Sequence, residues 1–237
     1  LGSILDRFYR AFIAEERYLA YIEGLKVTIE ISFFAILIGV LIGVVIAVVK
    51  VSSPKYQGKG LGKVLLTVAE KICSLYVTVI RGTPVMLQLL IIYNLIFTSR
   101  DANEIVTAII CFGINSGAYV SEIVRAGIES IDKGQMEAGR TLGFNYVQTM
   151  GYIVMPQAVR NILPALGNEF ISLIKETSVA SVIAVSDIMK NAQYVGSATY
   201  DILPPLVIAA GVYLVMVIGL SKGLEVFGRR LGQSDRN

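Results

Sequence analysis

Asn115, Tyr119 and Glu122 recur at i, i+4 and i+7 inside an otherwise apolar run, so a helix there carries an amide, a phenol and a carboxylate on one face. An amide both donates and accepts hydrogen bonds. That suits Asn115 either to the amino and carboxylate groups of a polar solute crossing a dry path or to a bond with a neighbouring helix. Gln88 and Ser178 lie in two further apolar runs and complete such a lining if their helices face the same axis. Arg125, three residues after Glu122, can pair with it or snorkel. Lys175 and Glu176 form either an internal ion-pair network or part of a gate. The chemistry these residues suit is desolvation and replacement of water rather than bond breaking. The chain has no histidine, and no nucleophile stands beside an evident base.

Composition says where these side chains sit. Of 237 residues, 54% are hydrophobic and only 16% charged, with a mean hydropathy of +0.66. An ordinary soluble domain is less apolar and more charged, so lipid is the solvent for most of this chain. A charged side chain exposed to lipid at a helix centre costs about 2.5–3.5 kcal/mol, so the intramembrane acids and bases are expected to face protein or water. Cys73 and Cys111 lack C-x-x-C spacing and read as small buried hydrophobes, with no metal site. The net charge of +3 is not gathered into a tract and gives no case for nucleic acid. Twelve tyrosines and no tryptophan leave tyrosine to mark the interfaces.

The elements that must position the polar residues follow from hydropathy. Residues 1–21 mix Arg7, Arg10 and Arg17 with acids and aromatics, the pattern of an amphipathic segment on the membrane surface. The first span is expected over Val27–Val49. The loop after it holds Lys50, Lys55, Lys59 and Lys63 with no acid among them, which places it in the cytoplasm. Leu61, Leu65, Val68, Ile72, Leu75 and Val79 repeat at steps of four and three, predicting an amphipathic helix at the inner interface or against other helices rather than a span. Pro84 then opens a second span to Phe97. Further spans are expected over Ile105–Ile128, Asn161–Val185 and Ile202–Phe227. The basic end of the chain puts the C-terminus in the cytoplasm, and five spans put the N-terminus outside. The fold class is an all-α integral membrane protein of five transmembrane helices, with an N-terminal amphipathic segment and a cytoplasmic hairpin. Residues 22–229 form the membrane domain and 230–237 a cytoplasmic tail.

That hairpin is the polar, glycine-punctuated stretch SIDKGQMEAGRTLGFNYVQTMGYIVMPQ, Ser130 to Gln157. A short helix over Gln135–Leu142 is capped by Gly143, and a second over Tyr146–Val154 ends before Pro156. Ala138 and Gly139 would let another surface come close to the backbone, with Glu137 and Arg140 available for charge-assisted bonds. A solvated loop with tidy caps fits the same pattern. The stretch from Glu137 resembles the signature EAA, three residues, G, nine residues, I-x-L-P, of the permease subunits of binding-protein-dependent ABC importers. Glu137, Ala138, Gly143, Ile153 and Pro156 fall in register, while Gly139 replaces the second alanine and Met155 the leucine. RGTPVMLQL, SGAYVSEIVRAGIESIDKGQ and LIKETSVASVI are similar to stretches of the subfamily that carries polar amino acids such as glutamine, arginine, lysine or cystine.

The resemblance implies a permease subunit that forms a substrate pathway, and the polar residues expected to line it are Asn115, Tyr119, Glu122, Ser178 and Gln88. It implies a coupling helix whose Glu137, Ala138, Gly139, Arg140, Gly143 and Pro156 meet a separate ATPase subunit. Further implied partners are an extracytoplasmic amino acid binding protein and a second permease copy or paralogue. ATP and Mg are then used by the partner, and this chain holds no cofactor. The residues agree on one point: GKGLGK at Gly58 lacks the spacing of G-x-x-x-x-G-K-S/T, so no phosphate-cradling loop is expected here. The alternatives are an ion-gradient-driven secondary transporter, which often shows repeat halves that this sequence lacks, a channel subunit, a membrane enzyme or a purely structural subunit.

Overall fold

Lipid offers the backbone no water to bond, so a chain of this composition must satisfy its peptide groups internally. The computed structural model describes residues 3–56, 58–96 and 103–233, and the described residues are helical with no strand. The helices are α1 (Ile4–Phe12), α2 (Tyr18–Ser52), α3 (Leu61–Gly82), α4 (Val85–Ile96), α5 (Glu104–Glu129), α6 (Lys133–Thr141), α7 (Tyr146–Thr149), α8 (Met155–Glu176), α9 (Ile188–Thr199) and α10 (Leu203–Gln233). The expected end of the second span at Phe97, the turn after it and the last residues of the tail, 234–237, lie outside the described residues.

Among the described residues, three helical stretches are long and apolar enough to cross a membrane: Ala14–Ser52, Glu104–Glu129 and Leu203–Arg229. These cover the first, third and fifth expected spans. Leu61–Gly82 and Val85–Leu95 pass the same test only as a pair bent by 110°. The bend falls at Thr83 and Pro84, where the proline ring cannot continue the preceding hydrogen-bond ladder. The fourth expected span differs. Regular helix ends at Glu176, a 3-10 turn runs over Thr177–Ile183, and Ala184 closes it with φ 68°. Arg160, Asn161, Asn168, Glu169, Lys175 and Glu176 leave α8 too polar to meet the apolar criterion by itself.

The chain clusters into two units. In the first, residues 1–37, 83–113 and 170–222, Ile31 of α2, Leu89 of α4, Cys111 and Phe112 of α5, Leu173 of α8 and Ile183 of the 3-10 turn make one apolar core. A second core joins Ala11 and Tyr21 to Ile188, Ala192 and Val195 of α9 and Ala209 of α10. The Arg7 guanidinium grips Asp201 with two bonds of 2.6 and 2.8 Å, tying α1 to the turn before α10. That contact holds the Asp201 carboxyl below the usual carboxylate range. Asp187 caps α9 by accepting from the Lys190 N–H at 2.8 Å and is fully buried. Burial pushes its carboxyl up to about 6.

The second unit comprises residues 38–82, 114–169 and 223–237. Here α2 and α5 approach through glycines. A Cβ on Gly43 would lie 2.6 Å from Val120 Cγ1, and one on Gly39 would lie 2.9 Å from Ser116 Oγ. Small residues four apart let membrane helices pack backbone to backbone. Along α3, Val77 turns inward against Ile46 and Ala118. The opposite stripe, Leu61, Leu65, Val68, Ile72, Leu75 and Val79, is exposed as the sequence pattern requires of an amphipathic helix.

Candidate functional site

The ionisable groups of the second unit gather around one carboxylate. Glu122 on α5 accepts from Lys50 Nζ at 2.6 Å and from Arg125 Nη2 at 2.7 Å, and Arg81 Nη1 stands 4.0 Å away. Arg125 also bonds Glu129 at 2.6 Å, and the Arg81 guanidinium lies 5.2 Å from the centroid of the Tyr119 ring. The helix spacing explains the arrangement: i, i+3 and i, i+4 place Arg125 over Glu122 and Glu129 over Arg125. α2 delivers Lys50 in its last turn and α3 delivers Arg81 in its last turn. The pairing of Arg125 with Glu122 was legible in the sequence; the capture of Lys50, 72 residues away, was not. Because Glu122 is already engaged by Lys50 and Arg125, its carboxylate is not free to hold a cationic side chain of a solute.

Asn115, seven residues before Glu122, is 3% exposed, and its neighbour Ser116 donates to Glu169 Oε1 at 2.9 Å. The Ser116–Glu169 bond was missed, since nothing in the local sequence pairs residues 53 apart. Asn115, Tyr119 and Glu122 thus sit together on α5 in the second unit. Gln88 and Ser178 belong to the first. There the Gln88 amide donates to Thr83 Oγ1 at 2.7 Å and to the Thr83 carbonyl at 3.1 Å, across the break between α3 and α4. Ser178 donates to the Lys175 carbonyl at 2.8 Å, a local backbone bond that satisfies its half-buried hydroxyl. Among the described residues no three of Cys, Asp and Glu gather into a group that could hold a metal. Cys111 is buried and both cysteines are free thiols.

The hairpin is built from local capping chemistry. Asp132 caps α6 by accepting from the Gly134 N–H at 2.6 Å. At its end Gly143 takes φ 90°, and Phe144 N–H reaches back to the Gly139 carbonyl at 3.1 Å, closing the helix with a left-handed residue that a Cβ would strain. Asn145 and Gln148 then bond each other's backbone N–H groups in a capping box at 2.9 Å. The second helix does not stop before Pro156. It continues through a π turn over Met150–Val154 into α8, and Met155 N–H bonds the Met150 carbonyl. One extra residue in the turn gives the proline ring room and removes the need for its missing N–H.

Gly139 is buried, and a Cβ there would lie 2.5 Å from Thr149 Cγ2 and 2.8 Å from Ile153 Cδ1. Its small size therefore serves the hairpin's own packing, not the close approach of a partner. Glu137, Ala138 and Arg140 are exposed, and so are Leu142, Val147 and Tyr152, each at about three-quarters of full accessibility. The sequence reading passed over these apolar side chains, although large apolar residues in a polar loop are themselves a signal of contact. Beside them a cavity of 590 Å³ is lined by Lys50, Glu129, Asp132, Lys133, Met136 and Tyr146.

The sequence profile described as "Binding-protein-dependent transport system inner membrane component" matches residues 60–233. The chain belongs to this family. It is a permease of the ABC importer type, a multi-pass inner-membrane protein, and the comparisons do not favour the gradient-driven alternative. The permease is 38% identical over 216 residues to the arginine transport system permease protein ArtQ of Bacillus subtilis (strain 168), across 90% of this chain and 93% of the relative. It is 38% identical over 217 residues to a putative glutamine transport system permease protein, GlnP, of Rickettsia typhi (strain ATCC VR-144 / Wilmington), across 91% and 94%. Among solved structures, an amino acid ABC transporter crystallised with histidines superimposes at a TM-score of 0.81 with 41% identity, across 90% and 94%.

Proposed function

We propose that this permease carries polar amino acids inward and couples that movement to a separate ATPase, which supplies the ATP and Mg chemistry. The observation that carries the reading is the capped hairpin of Asp132–Val154, which presents exposed apolar and charged residues outside the signature glycines. Relatives with near-full coverage that are named for arginine and glutamine transport support the substrate class. In this reading Leu142, Val147 and Tyr152 join Glu137, Ala138, Arg140 and Gly143 as the ATPase-facing surface, Gly139 shapes the hairpin, and Pro156 sets the start of α8. Asn115 and Tyr119, with Gln88 and Ser178, line the path that replaces water around the solute. The ionic knot at Glu122 holds three helices of the second unit in register.

The proposed topology is five spans, with α8 and its 3-10 turn as the fourth, the N-terminus outside and the hairpin and C-terminus in the cytoplasm. The membrane domain is 22–229, preceded by an amphipathic segment lying on the membrane. A second permease copy or paralogue completes the pathway, and an extracytoplasmic binding protein delivers the solute. The test is co-purification. Leu142→Asp combined with Val147→Asp, both exposed, is expected to leave the permease folded and in the membrane while the ATPase no longer co-purifies. Undiminished co-purification and ATP-dependent uptake in that variant would overturn the coupling assignment.

A further inference from the structure

Lys59, Lys63, Thr67 and Lys71 follow one another at steps of four in the sequence; Lys59 lies in the turn just before α3, and Lys63 and Lys71 stand on α3 eight residues, about 12 Å, apart along its axis. They edge a groove of 530 Å³ whose floor is Val64 and Val68. No acid lies in the first turn of α3. Among the described residues none of the three lysines has an acidic partner within 4.0 Å, and the nearest acid along the helix, Glu70, accepts from Ser74 at 3.0 Å. The apolar floor continues as the exposed stripe Ile72, Leu75 and Val79. A row of cations beside an apolar groove that runs into an apolar stripe matches a molecule with an anionic head and hydrocarbon tails. A free anion would leave the groove floor facing water, and a purely apolar surface would leave the lysines without a counter-charge.

We propose that this groove is a binding site for an anionic phospholipid, its phosphate held by Lys59, Lys63 and Lys71 and an acyl chain lying along Val64, Val68, Ile72 and Leu75. The inference rests on the membrane-permease reading, which puts the start of α3 at the inner interface. Juxtamembrane lysines attract anionic lipid there, and the N-terminal end of a helix adds a favourable partial charge. The consequence is a permease whose broken α3–α4 pair is anchored at one end by the composition of the leaflet around it.

The chain contains no tryptophan, so a single introduced indole reports alone. Ile72→Trp, at a position 63% exposed one turn beyond Val68, is placed in mixed vesicles of phosphatidylglycerol and phosphatidylcholine in which one lipid or the other carries bromine on its chains. Leu41→Trp on α2, 70% exposed, is the control for general lipid contact. Brominated phosphatidylglycerol is expected to quench Ile72→Trp several-fold more strongly than brominated phosphatidylcholine. Lys63→Gln and Lys71→Gln are each expected to reduce that preference about fivefold, and the pair to abolish it. Leu41→Trp should show no preference.

Equal quenching by the two lipids at Ile72→Trp, or a preference that survives the paired lysine substitutions, overturns the site. Quenching of Leu41→Trp with none at Ile72→Trp means that a second copy or another partner covers this face, which also overturns it. Absence of quenching at both positions instead removes the membrane reading beneath the proposal. Gln keeps helix propensity close to that of Lys, and the single variants serve if the pair fails to insert.

Discussion

Lys50 Nζ lies 2.6 Å from Glu122 Oε1, and the two side chains, at the end of one apolar helix and inside another, are only 16% and 19% exposed. Neither charge could rest there alone, because an unpaired ion shielded from water costs several kcal/mol. Arg125 and Arg81 share the same carboxylate, so Glu122 is the hub through which α2, α3 and α5 are held in register.

Removing the hub should cost more than removing the pair. Glu122→Leu is expected to destabilise the permease by about 2–4 kcal/mol, since it strands Lys50 and leaves Arg125 with Glu129 alone. Lys50→Met with Glu122→Leu should recover a measurable part of that, with a coupling energy of about 1–3 kcal/mol. Thermal or denaturant unfolding in detergent across the four-member cycle gives the number, and additive effects would show that the contact is incidental.

Gly139 and Gly143 should fail in different ways. Gly139→Ala meets Thr149 Cγ2 and is expected to lose about 1–3 kcal/mol, part of it regained in Gly139→Ala with Thr149→Ser, where that methyl is gone. Gly143→Val meets no neighbour but must hold φ near 90°, so no second-site change should rescue it. Unfolding midpoints of the three variants separate crowding from backbone strain.

Much of this was legible in the sequence because the signals are local. The apolar runs, the break at Pro84, the stripe of α3 and the cap at Gly143 each depend on residues a few positions apart. The polar face of Asn115, Tyr119 and Glu122 followed from helical spacing alone. What the sequence hid was long-range or backbone-mediated. Lys50 reaches Glu122, Ser116 reaches Glu169 and Arg7 reaches Asp201 only because tertiary packing brings distant helices together. Pro156 was read as a helix stop because a proline breaks a regular α-helix, and the π turn that accommodates it leaves no trace in hydropathy. Gly139 was read as a surface made for a partner, whereas its own hairpin fills that space.

Asn115 carries the substrate-path proposal. Asn115→Leu conserves volume in a 3% exposed position, so near-native folding is expected together with a loss of substrate uptake of at least about tenfold, the equivalent of one or two lost hydrogen bonds. Uptake kinetics of radiolabelled amino acid in vesicles, normalised to assembled permease, decide it. Unchanged kinetics would assign the amide to helix packing.

Asp187 predicts a pH dependence with a definite sign. Its carboxyl titrates at about 6 in the folded chain against about 3.9 unfolded. Between those values the folded state binds more protons, so this group's contribution to stability falls as pH rises through the window and is level above it. Asp187→Asn keeps the acceptor for the Lys190 N–H and should flatten that slope, while Asp187→Ala also loses the cap, worth about 1 kcal/mol. Unfolding midpoints of the three proteins from pH 5 upward test it, and parallel slopes for wild type and Asp187→Asn would contradict it.

Arg7 and Asp201 predict the opposite slope at lower pH. The Asp201 carboxyl is depressed by the guanidinium, so its contribution is present above the unfolded carboxylate value and is lost as pH falls through the folded one. Asp201→Asn should therefore remove an acid-sensitive step in the docking of α1, read as protection of the first helix from proteolysis. Equal acid sensitivity with and without the carboxylate would contradict this assignment.

The central claim, an ATP-driven permease for polar amino acids, is tested most directly in proteoliposomes containing the permease, its ATPase and its binding protein. ATP hydrolysis is measured while the amino acids are supplied one at a time. The account predicts that a small set of polar amino acids stimulates hydrolysis and is accumulated inward in proportion to ATP consumed. Accumulation driven by an ion gradient without ATP, or hydrolysis indifferent to every amino acid, would contradict it.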